Sequence, residues 1–333
     1  MRGARWRGPQ GSLSALYQRG LTLAELMVSV ALGLLVVLVA SVLLLSSSAS
    51  YLEQNEALQL GDGGRFALEI IARAVRGAGS GSREGDAFGA AALGLVPGDS
   101  ANISGLDARS VSKNGAGIAN PLLDAVNGSD VLAVRYFGSG AGLAGDGSVI
   151  NCAGFGVGGA NSEQDRGWSI FYVARDADGE AELRCKYRGK DGWGADAIVR
   201  GVDSFQILYG VDTDAAPDGM ANQYLNATAI EAFDAALPLA GLDAAARARD
   251  KNAQTRWKRV VCIKLALLLH GGSGSRPGAT PLQFELFGAD YSAASRDIGV
   301  RIDEAALVPA LRNRARKLIE TTILLRNPAL APQ

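Results

Sequence analysis

The chain has 333 residues, a formal net charge of −1 and 48% hydrophobic residues. That is enough apolar material for one large domain or two small ones, without the basic excess that nucleic-acid binding asks for. One histidine and three cysteines leave little for a histidine-based metal site or a Ser-His-Asp or Cys-His pair, all of which would have to share His270.

The first 20 residues hold Arg2, Arg5, Arg7 and Arg19 and no acidic residue, and Leu26 to Leu45 then carries no charge. A helix of about 20 apolar residues covers roughly 30 Å, the thickness of a bilayer core. The arginines before it hold that end on the cytoplasmic side and send the rest of the chain outward. A secretory signal peptide, with Ser48-Ala49-Ser50 as its cleavage residues, and a plain uncleaved anchor share this pattern. A signal-peptide core is normally about 7–15 residues, shorter than this run, and neither reading accounts for Glu25 at its head. A charge at the centre of a membrane helix costs about 2.5–3.5 kcal/mol on insertion scales, so a partner has to be named. A cut between Gly20 and Leu21 creates one, the α-amine of Leu21. Paired with Glu25 of a neighbouring subunit it would set an axial register, the best-attested use of a buried ion pair.

The stretch Arg19-Gly20-Leu21-Thr22-Leu23-Ala24-Glu25-Leu26-Met27-Val28 resembles the prepilin cleavage and methylation motif of type IV pilins and type II secretion pseudopilins. The resemblance implies a prepilin peptidase/N-methyltransferase that cuts after Gly20 and methylates Leu21, with Glu25 as the assembly glutamate. Leu21 stands where phenylalanine is usual, and Ala24 where isoleucine is common.

Beyond Ser46-Ser47-Ser48 the chain turns amphipathic. Tyr51, Leu52, Leu58, Phe66, Ile70, Ile71, Ala74 and Val75 fall near helical spacings, with charged residues between them. One long helix is expected, its second half packed on a sheet, ending around 77–81. A kink or a locally unwound turn is expected at Gly61, Gly63 and Gly64, since each glycine costs about 1 kcal/mol relative to alanine. Strands are expected at 131–137, 169–173, 198–202, 204–209, 260–269 and 318–325, and at 182–187 as a half-buried edge. The alanine-rich 230–249 reads as a short helix. Glycine, 43 residues or about 13% against a usual 7%, clusters at 138–147, 154–159 and 271–274 and reads as long surface loops. The fold class is α+β, a long transmembrane-to-amphipathic helix on an antiparallel sheet. The division is a leader at 1–20, a transmembrane helix at 21–45, an amphipathic helix at 46–78 and an exported β-rich body at 79–333.

Three further segments carry a second resemblance: 201–214 (GVDSFQILYGVDTD), Trp257 followed by 260–269 (VVCIKLALLL), and 317–327 (KLIETTILLRN). They resemble the PilW family of minor pilins. This implies a pilin-like fold, and a minor pilin that primes pilus assembly and sits at or near the fibre tip. Its implied partners are other minor pilins, the major pilin, the assembly platform and a tip adhesin. It implies no enzyme activity, cofactor or nucleic acid, and a single inner-membrane pass with the body in the periplasm. A type II secretion pseudopilin, or an anchored exported binding domain or enzyme, is the alternative.

Among candidate sites, Cys152 and Cys185 flank a strand, and in an oxidising compartment a disulfide between them is expected, two free thiols being the alternative. Cys262 reads as a buried thiol. Asp212, Asp214 and Asp218 with Gly219 resemble the first turn of a calcium loop. Ala215 and Ala216 interrupt it and no glutamate closes it, so a solvated acidic turn is the preferred reading. His270 reads as a strand-end side chain, and 312–317 as a solvated basic face.

Overall fold

The computed structural model describes residues 22–79, 99–160, 162–276 and 280–326, in two compact units, Met1–Leu52 and Glu53–Gln333. Helix α1 (Leu23–Arg76) begins in the first and ends in the second. In the first unit, Leu23–Ser48 is long and apolar enough to cross a membrane, with a mean hydropathy of 3.0 and nothing buried. Gly20 and Leu21 lie outside the described residues.

The second unit is built on two antiparallel sheets. Its strands are, in chain order, β1 (Ile103–Leu106), β2 (Ser110–Val111), β3 (Pro121–Leu122), β4 (Val131–Tyr136), β5 (Gly167–Arg175), β6 (Ala181–Gly189), β7 (Gly192–Arg200), β8 (Val202–Val211), β9 (Gln223–Leu225), β10 (Val260–His270), β11 (Gln283–Glu285), β12 (Arg301–Asp303) and β13 (Arg316–Leu324). One sheet runs β1-β4-β5-β6-β7 and the other β13-β10-β8-β9; β2-β3 and β11-β12 are small ribbons. At Gly201, with φ +74, the chain leaves the first sheet for the second. A side chain there would meet the His270 carbonyl at 2.4 Å, which is why this corner takes glycine.

The strands β4, β8 and β10 are buried along almost their whole length because both faces of both sheets are covered. The inner faces and the body half of α1 share one core, in which Ala67, Ile71 and Val75 meet Leu132, Phe171, Leu183, Phe205, Ile207, Leu265 and Leu267. The outer face of the second sheet packs Leu208, Ala266 and Leu268 under Leu286, Phe287, Val300, Ile302 and Leu307. The outer face of the first packs Val131, Ala133, Ile170 and Tyr172 under Val111. Sheets covered on both faces lose the in-out alternation of half-buried strands.

Three expectations need correction. No unwound turn occurs at Gly61, Gly63 or Gly64: α1 is helical throughout, and Gly63 and Gly64 serve close approach. A Cβ on Gly64 would lie 2.1 Å from Ile319 Cδ1 and 3.1 Å from Leu269 Cδ1, and one on Gly63 would lie 3.1 Å from Val199 Cγ2. Strand 182–187 is not an edge: β6 is paired on both sides, and β7 is the edge. The alanine-rich stretch forms two helices, α2 (Ala227–Ala235) and α3 (Ala244–Gln254), capped by Asn226 and Asp243, whose side chains accept from the amides of Ala229 and Ala246. A further short helix, α4 (Ala289–Ala294), lies between β11 and β12.

If close packing fixes these glycines, Gly64→Leu should destabilise the body by about 1–3 kcal/mol through overpacking. This would exceed the gain of about 1 kcal/mol in helix propensity. Urea unfolding of the wild type and the variant checks it.

Candidate functional site

Within the first unit, α1 opens on a reciprocal cap. The Glu25 carboxylate accepts from the Thr22 amide at 2.9 Å and from the Thr22 hydroxyl at 2.9 Å. Thr22 Oγ1 in turn accepts from the Glu25 amide at 3.3 Å. This is a capping box, Thr at the N-cap and Glu three residues on, satisfying amides that the helix leaves free. The T-x-x-E spacing was legible in the sequence and marks Thr22 as a partner of Glu25 that charge reasoning alone missed.

In the second unit the structure joins Cys152 to Cys185, with Cα atoms 5.9 Å apart. The bridge ties the glycine-rich 138–160 segment to β6, where Phe155 stacks on Tyr187 at 5.2 Å between centroids. Beside the bridge lies a groove of about 460 Å³ between the body half of α1, the 150–154 loop and β7. One residue past Cys185, Lys186 is buried on the other face of the sheet. Its ammonium donates to the Gly117 carbonyl at 2.7 Å and lies 5.1 Å from the Trp193 ring centroid. Burial pulls its pKa down to about 8. Cys262 is buried and unbridged, its thiol 3.7 Å from the Tyr224 hydroxyl.

Asp212, Asp214 and Asp218 do converge, their oxygens within 4.8 Å of one another. Asp212 is buried and accepts from the amides of Asp214 at 3.1 Å and Gly219 at 2.8 Å, and Asp218 accepts from Met220 at 2.8 Å. These bonds build the turn itself, so the carboxylates have a structural use.

The basic run 312–317 is solvated only in part: Arg312 and Lys317 are exposed, whereas the side chains of Arg314 and Arg316 are covered. Arg316 is buried, with Nε 2.6 Å from Asp203 and Nη1 2.7 Å from Glu304, and all three side chains are about 1% exposed. Glu304 also accepts from Arg276 and from the amides of Leu282 and Asn313. Burial would raise its pKa, but these donors hold it below the usual carboxylate range. His270 belongs to the same network: Nε2 lies 2.9 Å from Glu180, and Arg314 Nη1 lies 3.0 Å from Nδ1. Nδ1 also lies 3.1 Å from the Gly271 carbonyl, so the ring sits between an arginine that can only donate and oxygens of Gly271 and Glu180 that accept. The signal that could have found this network is the charge complement at 180, 203 and 304, but its members are too far apart in sequence for spacing to show it.

Two measurements probe the bridge and its neighbour. Replacing both Cys152 and Cys185 by Ser should cost about 3–4 kcal/mol, the loop-closure value for a span of this length, read as a lower urea midpoint. For Lys186 the unfolded chain holds its proton to about pH 10.4, whereas the folded chain releases it near pH 8. Between these values the unfolded state binds more protons, so stability rises with pH. The wild type should therefore gain on Lys186→Met as pH goes from 7.5 to 10, measured by paired unfolding curves.

Comparison with known proteins bears on the two units separately. The profile of the family "Type IV Pilus-assembly protein W" matches residues 170–327, from β5 to the end of the body. The prokaryotic N-terminal methylation motif matches residues 16–41, which includes the capping box. No curated protein matches the chain. Among solved structures, a type IV-like pilin, TTHA1219 from Thermus thermophilus, is 14% identical over 81% of this chain and 98% of its own, with a TM-score of 0.34.

Proposed function

We propose that this chain, which belongs to the PilW family of type IV pilus-assembly proteins, is a minor pilin that primes pilus assembly and sits at or near the fibre tip. Its precursor is cut after Gly20, methylated at Leu21 and held in the inner membrane by residues 21–45, with the body in the periplasm. The reading is supported chiefly by the union in one chain of a methylation motif at 16–41 and a PilW match at 170–327, joined by an apolar helix that opens on a carboxylate. Its partners are other minor pilins, the major pilin, the assembly platform and a tip adhesin. It has no chemistry of its own; the enzyme that acts is the peptidase that processes it. The motif alone suits a type II secretion pseudopilin equally well, and the PilW match favours the pilus.

The capping box gives Glu25 two states. In the separate chain its carboxylate is bonded by Thr22, so the helix enters the membrane with that charge already hydrogen-bonded. In the assembly it exchanges these bonds for the α-amine of a neighbouring Leu21. A charge-assisted bond between ions is the stronger of the two, and it fixes the step between subunits.

The test is the N-terminal mass of the mature protein from cells with and without prepilin peptidase. An N-methylated Leu21 start that disappears without the enzyme is expected. A retained Met1, or a start at Tyr51, overturns the reading. Glu25→Ala should be processed normally, leave the unfolding of the body unchanged, and fail to restore piliation.

A further inference from the structure

We propose that the outer edge of β7, with the groove beside it, is a docking site for an extended segment of another pilin subunit, taken up as an additional strand. The partner's identity rests on the minor-pilin reading; the site's geometry does not.

Among the described residues β7 pairs with β6 alone, and the backbone bonds outside the regular ladders leave its other side free. It is a full-length edge of nine residues, whereas β1 and β9 are short and β13, the other nine-residue edge, is blunted by the charges of Arg316, Lys317 and Glu320. Natural edges are usually blunted by proline, lysine or cover. β7 carries neither proline nor lysine, and its Gly194, Ala195 and Ala197 leave the backbone approachable. A row of unpaired N–H and C=O groups recognises one thing, an extended polypeptide.

The groove supplies the side-chain pockets that such a strand needs. Phe66, 58% exposed, and Ile70 form its helix wall, Ile198 its strand wall and Ile150 its loop wall. The loop wall is held in place by the Cys152–Cys185 bridge, so the site is preformed. A groove between an exposed strand edge and a helix is the geometry by which PDZ domains add a peptide strand.

A second copy of β7 is the poorer occupant. In the antiparallel pairing centred on the middle of the strand, Asp196 faces Asp196, and like charges directly opposite are destabilising. The rim points the same way: Glu69 and Asp196 against Arg73 leave one negative charge in excess. The incoming segment therefore has apolar residues at every second position and at least one basic residue.

The experiment pans phage-displayed random nonapeptides against the full-length chain in detergent micelles. Enriched peptides should alternate apolar residues, carry a lysine or arginine, and slow amide exchange at 193–198 on binding. They should bind Ile198→Lys and Phe66→Ser at least tenfold more weakly, with both variants unfolding as the wild type does. Leu242→Ser, which removes a 98% exposed leucine outside the groove, should bind unchanged.

Peptides with helical rather than alternating spacing, undiminished binding to Ile198→Lys, or protection in the chain alone of the alternate β7 amides that do not bond β6 would each overturn the proposal. This assay does not depend on processing or piliation. An unmethylated Leu21 would sink the minor-pilin reading while leaving the strand-addition result to stand or fall separately.

Discussion

The body depends on how closely the second half of α1 approaches two sheets at once. Its buried positions fall in a stripe, Leu60 and Gly61, then Gly64, Ala67, Ile71 with Ala72, and Val75, in steps of three or four residues, so they share one face. The first part of that face is small. With no Cβ at Gly63 and Gly64, the helix axis comes near enough for Val199 of one sheet and Ile319 and Leu269 of the other to reach it together. Each glycine costs helix propensity, and the contact across two sheets offsets that cost. Further along, Ala67, Ile71 and Val75 return to side-chain packing in the shared core.

Once α1 fills the inner side, the outer faces must be covered by other means. The β11-β12 ribbon and the segments around it close one, and the β2-β3 region closes the other. Covering both faces buries the ends of strands along with their charges. Such charges need partners of opposite sign, because an unpaired ion in that setting costs several kcal/mol. The network Arg276–Glu304–Arg316–Asp203 and its neighbour Arg314–His270–Glu180 meet that need where β8, β10 and β13 come together. The chain's single histidine lies there between an arginine and a carboxylate.

What was legible in the sequence follows from which forces are local. The apolar run of α1, the strands β4, β5, β8, β10 and β13, and the T-x-x-E cap all leave short-range signatures. The edge strand β7 left almost none. Its residues GWGADAIVR mix glycine, alanine and charge, and they become a strand because the tight turn after Gly189 folds them back on β6. The helix glycines misled for a related reason. Propensity treats glycine as a breaker, while the decisive fact, that Ile319 lies 2.1 Å from where a Cβ would sit, concerns a residue about 250 positions away and no local rule reaches it. The basic run at 312–317 misled likewise, since the carboxylates that bury Arg316 come from β8 and from the segment after β12.

The same reasoning separates what each unit offers a partner. In the first unit the offered features are general: an apolar helix, and a carboxylate whose bonds to Thr22 can be exchanged. On the proposed reading, features as general as these serve assembly, and a choice among subunits is left to the second unit. Most of its strand backbone is internally paired and both sheet faces are covered, so the body's polar and apolar groups are largely used up by its own fold. The exception is β7, with main-chain groups on one side and an apolar groove along it, set apart by a bridge that fixes the opposite wall. An extended segment added there would gain main-chain bonds and side-chain pockets together, which is the basis of the strand-addition proposal.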